Sequence, residues 1–130
     1  MTPEADRFLR KARKHLTRAN IMLGVNLHED AGRAAYLAGF HAAQAFIFES
    51  IGKVLKTHKG VQSEFLRLTK NDSRFGANFR VFLSQAYNLK AIADYEEDED
   101  SPFFAERSVD ATKTAARFVD FIAGLLDGSV

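Results

Sequence analysis

Apolar residues recur at steps of three and four along most of this chain, without sustained alternation, and that spacing predicts helices. Thr2 offers a hydroxyl cap, Pro3 suits the first helical position and Glu4 places an acid in the first turn. Phe8, Ala12, His15 or Leu16, Ala19 and Leu23 then mark one face, with Arg7, Arg10, Lys11, Arg13, Lys14 and Arg18 on the others. This first helix is expected to end between Leu23 and Leu27.

Residues 30–55 carry the strongest helical pattern. Ala31, Ala35, Ala38, Ala42 and Ala45 make a stripe of small side chains, and Tyr36, Phe40, Ile47, Phe48, Ile51 and Leu55 add bulk beside it. A helix apolar over most of its circumference belongs in the centre of a bundle. Its alanines are expected to form the central packing contact or a dimer contact. Residues 57–60 break the pattern, and a short helix is expected over 61–68, with Phe65 and Leu68 inward. Asn71, Asp72 and Ser73 mark a turn. A long helix over 74–95 follows, with Phe75, Phe79, Phe82, Ala86, Leu89 and Ala93 on one face. Five consecutive acids at 96–100 oppose the helix dipole and should unwind the chain. Ser101 and Pro102 start the last helix, whose seam is Val109, Thr112, Ala116, Val119 and Ile122 or Ala123; Asp127 and Gly128 close it. The expected fold class is all-α: one domain over residues 1–130, an antiparallel up-and-down bundle of four long helices plus one short helix.

Composition narrows the chemistry. Twelve Phe and three Tyr supply a core, so the chain is not of the disordered class. With no Cys, it has no disulfide framework, thiolate nucleophile or cysteine zinc site. A net charge of +1 gives no global field for nucleic acid, so a nucleic-acid role needs a local patch. The first helix offers one: six basic residues before Ala19, against Glu4 and Asp6. That excess suits RNA or an acidic partner, and equally a solvated face. No stretch has the apolar length of a membrane span or a signal core, so we expect a cytoplasmic protein with no membrane partner.

No recognised motif completes a catalytic site. The six acids within 94–100 lack the glycine and terminal glutamate of a calcium loop and read as a solvated segment. His15, His28, His41 and His58 lack metal-ligand spacing. We expect neither cofactor nor metal. His41 is either a hydrogen-bonded packing histidine or a proton-transfer group; His58, between Lys56 and Lys59, is either a phosphate contact or a surface residue.

Three segments, in order, resemble one family. AAYLAGFHAAQA (residues 34–45) is similar to the small-residue helix of HEPN domains, as in the bacterial "AYYAAFHAARAL" set; HKGV (58–61) matches that group's turn; YNLKAIADY (87–95) is similar to its "LYxLRxxADY" segment. The last helix, with Ala111, Ala115, Ala116, Phe118 and Val119, fits the closing helix of the family. The resemblance implies a compact bundle that dimerises. Many such proteins are RNA-cleaving toxins paired with a nucleotidyltransferase-like antitoxin, and their signature is an Arg with a His four to six residues later. An Arg would grip the scissile phosphate while the His moves a proton.

This chain departs from the signature, with Lys90 where Arg is expected and Tyr95 five residues on. Lys keeps the charge but loses the bidentate fork, Tyr is a poor base at its ordinary pKa of about 10, and Lys90 and Asp94 are spaced to pair on one helix face. The catalytic candidates are therefore Lys90, Asp94, Tyr95 and His41. Three functions follow as expectations: a dimeric HEPN-like binding or regulatory module, with a nucleotidyltransferase-like partner or RNA and with nuclease activity weak or lost; a metal-independent endoribonuclease toxin; or a structural subunit covering a partner's groove.

Overall fold

A computed structural model of the chain describes residues 1–95 and 102–128, with residues 90–95, 102 and 103 described by backbone alone. Among the described residues there is no strand. The helices are α1 (Pro3–Gly24), α2 (His28–Ile51), α3 (His58–Thr69), α4 (Ala77–Tyr95) and α5 (Pro102–Leu126). The chain is all-α, as its periodicity requires.

Local chemistry sets the helix ends. Thr2 Oγ1 accepts from the Ala5 N–H and caps α1. At the other end Asn26 takes a left-handed φ of 62°, and the N–H groups of Leu27 and Asn26 bond back to Met22 and Leu23 at 2.8 and 3.1 Å. That closure turns the chain into α2 within three residues.

Three boundaries differ from the periodic pattern. Helix α2 stops at Ile51, four residues before Leu55, because Gly52 adopts φ 69° and its N–H closes on the Phe48 carbonyl. Residues 57–60 start α3 rather than break the chain. Thr57 Oγ1 accepts from the Gly60 N–H at 2.9 Å, and a Cβ on Gly60 would stand 2.6 Å from that oxygen. Helix α4 begins at Ala77, not at 74. Asp72 draws the Arg74 N–H (3.0 Å) and its guanidinium into a local turn that competes with the helix, although Phe75 still points inward. Residues 96–101, expected as the acidic loop and the Ser101 cap, lie outside the described residues.

Helix α2 is central, packing against α1, α3, α4 and α5. Its alanine stripe is fully buried within the single chain, so those side chains serve internal packing and not a dimer contact. Gly32 lies against Leu89 and Gly39 against Phe82 and Leu83, which makes α2 and α4 antiparallel. Residues 52–57 return alongside α2, held where Gln44 Nε2 donates to the Leu55 carbonyl at 2.8 Å. Consequently α3 runs in the direction of α2, with His58 beside Tyr36 and Phe40, and Phe65 beside Phe46. One end of the bundle is aromatic: Phe65 meets Phe46, Phe75 and Phe118 edge-on, and Phe75 and Phe79 meet Phe121.

Candidate functional site

Of the four residues singled out from the sequence, His41 lies apart from the α4 backbone that carries the other three. Lys90, Asp94 and Tyr95 lie on the last turns of α4, and their side chains lie outside the described residues. Gly32 packs on Leu89, so Lys90 stands level with the first turns of α2. His41 is nine residues further along α2, about 13 Å along the axis. It is also two residues past Gly39, which faces α4, and a step of two turns about 200° around a helix. His41 thus looks away from α4, towards α1.

There His41 stacks on His15, with ring centroids 5.2 Å apart and planes 18° from parallel. Gln44 must present its amide nitrogen to the Leu55 carbonyl, so its oxygen faces His41 Nδ1 at 2.7 Å. The neutral imidazole therefore carries its proton on Nδ1 and keeps a lone pair on Nε2. Burial holds the His41 pKa below its ordinary value, against the raising effect of the Gln44 bond; Lys11 lowers it further. His15 is lowered too, first by burial and then by His41, Arg18, Lys14 and Lys11.

This pair borders a cationic face. Arg7, Lys11, Lys14 and Arg18 are spaced by three and four along α1, on the side away from buried Ala5, Leu9 and Ala12. All four are exposed, and none forms an ion pair among the described residues. Glu4 sits at the start of the same face. By contrast, Arg10 and Arg13 are matched by Asp6 and Asp120, each at 3.2 Å.

A second polar cluster lies across the Phe40 ring, which packs against both His41 and His58. Tyr36 is fully buried, and its hydroxyl meets His58 Nδ1 at 2.7 Å. Gln62 Nε2 donates to the same hydroxyl at 3.5 Å. Desolvation pushes the Tyr36 pKa up to about 12, partly offset by the Gln62 bond and reinforced by Tyr87. The Tyr87 ring packs on both Tyr36 and His58 with centroids 5.4 Å away. Tyr87 is one helical turn before Lys90, so His58, and not His41, is the histidine brought towards the C-terminal part of α4.

The roles of Tyr36, Gln62 and Tyr87 escaped the reading of the sequence. One signal was available: a tyrosine in a helix destined for burial needs a partner for its hydroxyl. The partner itself is 22 positions away and is delivered by the return of residues 52–57.

Comparison with known proteins agrees with the resemblance to HEPN domains. The sequence model of the HEPN domain matches residues 5–125. A protein of Methanocaldococcus jannaschii named "Putative toxin MJ0605" is 32% identical over 115 residues, covering 82% of this chain and 84% of its own length.

Proposed function

The chain belongs to the HEPN domain family, and from that premise we propose that it is a toxin-like binding module that engages RNA through the cationic face of α1, with nuclease chemistry weak or absent. The observation that carries this reading is the run of four cations, Arg7, Lys11, Lys14 and Arg18, on one exposed helix face, without an ion pair among the described residues. Such a face releases counterions from phosphates without needing net charge elsewhere in the protein. Weak chemistry is supported by Lys90 and Tyr95 standing where the family signature has Arg and His, and by His41 pointing away from them. The family resemblance supplies the rest: the module acts as a homodimer and is controlled by a nucleotidyltransferase-like protein.

Fluorescence anisotropy with labelled single-stranded RNA tests the face. Wild-type binding should fall steeply with salt, with a log–log slope near about −3 for some four phosphate contacts. Changing Lys11, Lys14 and Arg18 together to Gln should remove about two units of that slope and weaken binding about tenfold or more. Unchanged affinity in the triple variant would defeat the assignment. A complete lack of RNA binding at low salt would leave the structural-subunit reading in its place.

A metal-independent endoribonuclease is the second reading, and one observation favours it. His41 Nε2 holds a free lone pair at the border of the cationic face, where a base could take the proton of a ribose 2′-hydroxyl. RNA cleavage in EDTA that disappears in His41→Ala would establish this reading over the first. Cleavage that survives both His41→Ala and Lys90→Ala would reject both residues as its agents.

A further inference from the structure

His15 stands inside the cationic face of α1, four residues after Lys11, one after Lys14 and three before Arg18. The three cations are exposed, whereas His15 is half-buried and has no hydrogen-bond partner among the described residues. What covers it is a second imidazole, His41 of α2, with ring centroids 5.2 Å apart.

The charges that bear on this pair are cationic. Helix α1 presents Lys11, Lys14 and Arg18. Helix α2 presents His41 itself, whose Nδ1 is taken by Gln44. Helix α3 brings His58 only as far as the other side of the Phe40 ring. Helix α5 carries Asp120 to α1, but that carboxylate pairs with Arg13, two residues before His15 and so about 200° around the helix. Among the described residues no carboxylate offsets a charge on His15. Burial, His41 and the three cations together hold its pKa below the ordinary value.

A bound polyanion reverses this balance. Phosphates seated on Lys11, Lys14 and Arg18 cancel the repulsion those cations exert and offer an acceptor to an imidazolium N–H, so the charged ring becomes the favoured form. Two imidazolium ions 5.2 Å apart would repel, so the pair takes a single proton. His15 takes it, because it shares α1 with the phosphate-binding cations while His41 lies deeper.

We propose that docking of RNA on α1 is coupled to uptake of one proton by His15, so that acidification from neutral pH strengthens the complex. The coupling rests on the RNA reading of this face and adds a pH response to it. Between the free and the bound pKa of His15 the complex holds more protons than the free chain. Affinity is therefore flat at high pH, rises as pH falls through the bound-state value and levels off below the free-state value.

The test is fluorescence anisotropy of the full chain with an oligouridine, whose bases do not titrate in this range, at constant ionic strength. Wild-type affinity should rise about three- to tenfold from about pH 7.5 to 5.5, one proton limiting the slope to about tenfold per pH unit. Calorimetry in buffers of different ionisation enthalpy should read uptake approaching about one proton per chain near about pH 6. His15→Gln should lose the rise and the uptake; any slope left in it measures His28 and His58, which titrate in the same range. His41→Gln should keep the uptake. Imidazole proton shifts in NMR should place the His15 pKa below its ordinary value in the free chain and move it up when RNA is added. Affinity independent of pH, an equal pH response in His15→Gln, or an uptake lost in His41→Gln instead would each overturn the coupling and leave the RNA reading standing. Absence of RNA binding at both pH values would overturn the two together.

Discussion

Two contacts within the bundle close the core by opposite means. Where α1 and α2 meet, the contact is made of alanines, with Ala5, Ala12, Ala35, Ala38 and Ala42 fully buried, so the backbones approach closely and little side-chain volume is used. Where α3 and the start of α4 meet α5, the space is wider and seven Phe rings fill it: Phe46, Phe65, Phe75, Phe79, Phe82, Phe118 and Phe121. A seam of small residues tolerates no added atoms, whereas an aromatic cluster cannot lose a ring without leaving a cavity. The polar clusters follow the same division. His15 and His41 sit at the edge of the close α1–α2 seam, and Tyr36, His58 and Tyr87 lie where the return segment and α3 widen the bundle.

The aromatic end should be the easier to break. Phe65→Ala removes a fully buried ring touching three others and should cost about 3–5 kcal/mol, read as a lower midpoint in urea denaturation. Where α2 meets α4 closely the harmful change is an addition. A Cβ at Gly39 would stand 2.5 Å from the Phe82 ring, itself wedged against Phe118. Gly39→Ala should therefore lose about 1–2 kcal/mol on the same measurement, overpacking outweighing the gain of about 1 kcal/mol in helix propensity.

A smaller effect is the pH dependence carried by the His15–His41 pair. Burial holds the His15 and His41 pKa values below the ordinary 6.5. The unfolded chain thus takes up these protons first, so stability is complete above about pH 6.5 and declines as pH falls through that value towards the folded pKa values. The double variant His15→Gln, His41→Gln should flatten this decline when urea midpoints are compared at about pH 7.5 and 5.5; an unchanged slope would assign it to other groups. The mildest change is Ser108→Ala. The Ser108 hydroxyl is fully buried beside Gly32 without a hydrogen-bond partner among the described residues. Its removal should leave stability unchanged or raise it by about 1 kcal/mol.

Much of this fold was legible because helical information is short-ranged. The Thr2–Pro3 start of α1, the burial of the alanine stripe and the inward Phe65, Phe75 and Phe82 all follow from residues three or four apart. The boundaries that shifted did so for reasons equally local but carried by single residues. Gly52 entering the left-handed region, Thr57 capping Gly60 and Asp72 capturing Arg74 each outweighed a periodicity that continued past them. The site was less legible. His41 and His58 were both visible as candidates, yet nothing near them in the chain says that one meets His15 and the other the Tyr36 hydroxyl.

The sequence by itself determined five helices, a central α2 lined with alanine, a basic α1 and the family to which the chain belongs. Tertiary structure alone decided the direction of α3, the separation of His41 from the α4 positions, and the meeting of Tyr36, His58 and Tyr87. Helix formation is governed by neighbours a turn apart. Convergence of side chains 22 and 51 positions away from Tyr36 depends on where Gly52 sends the chain and on the Gln44–Leu55 bond that holds it there.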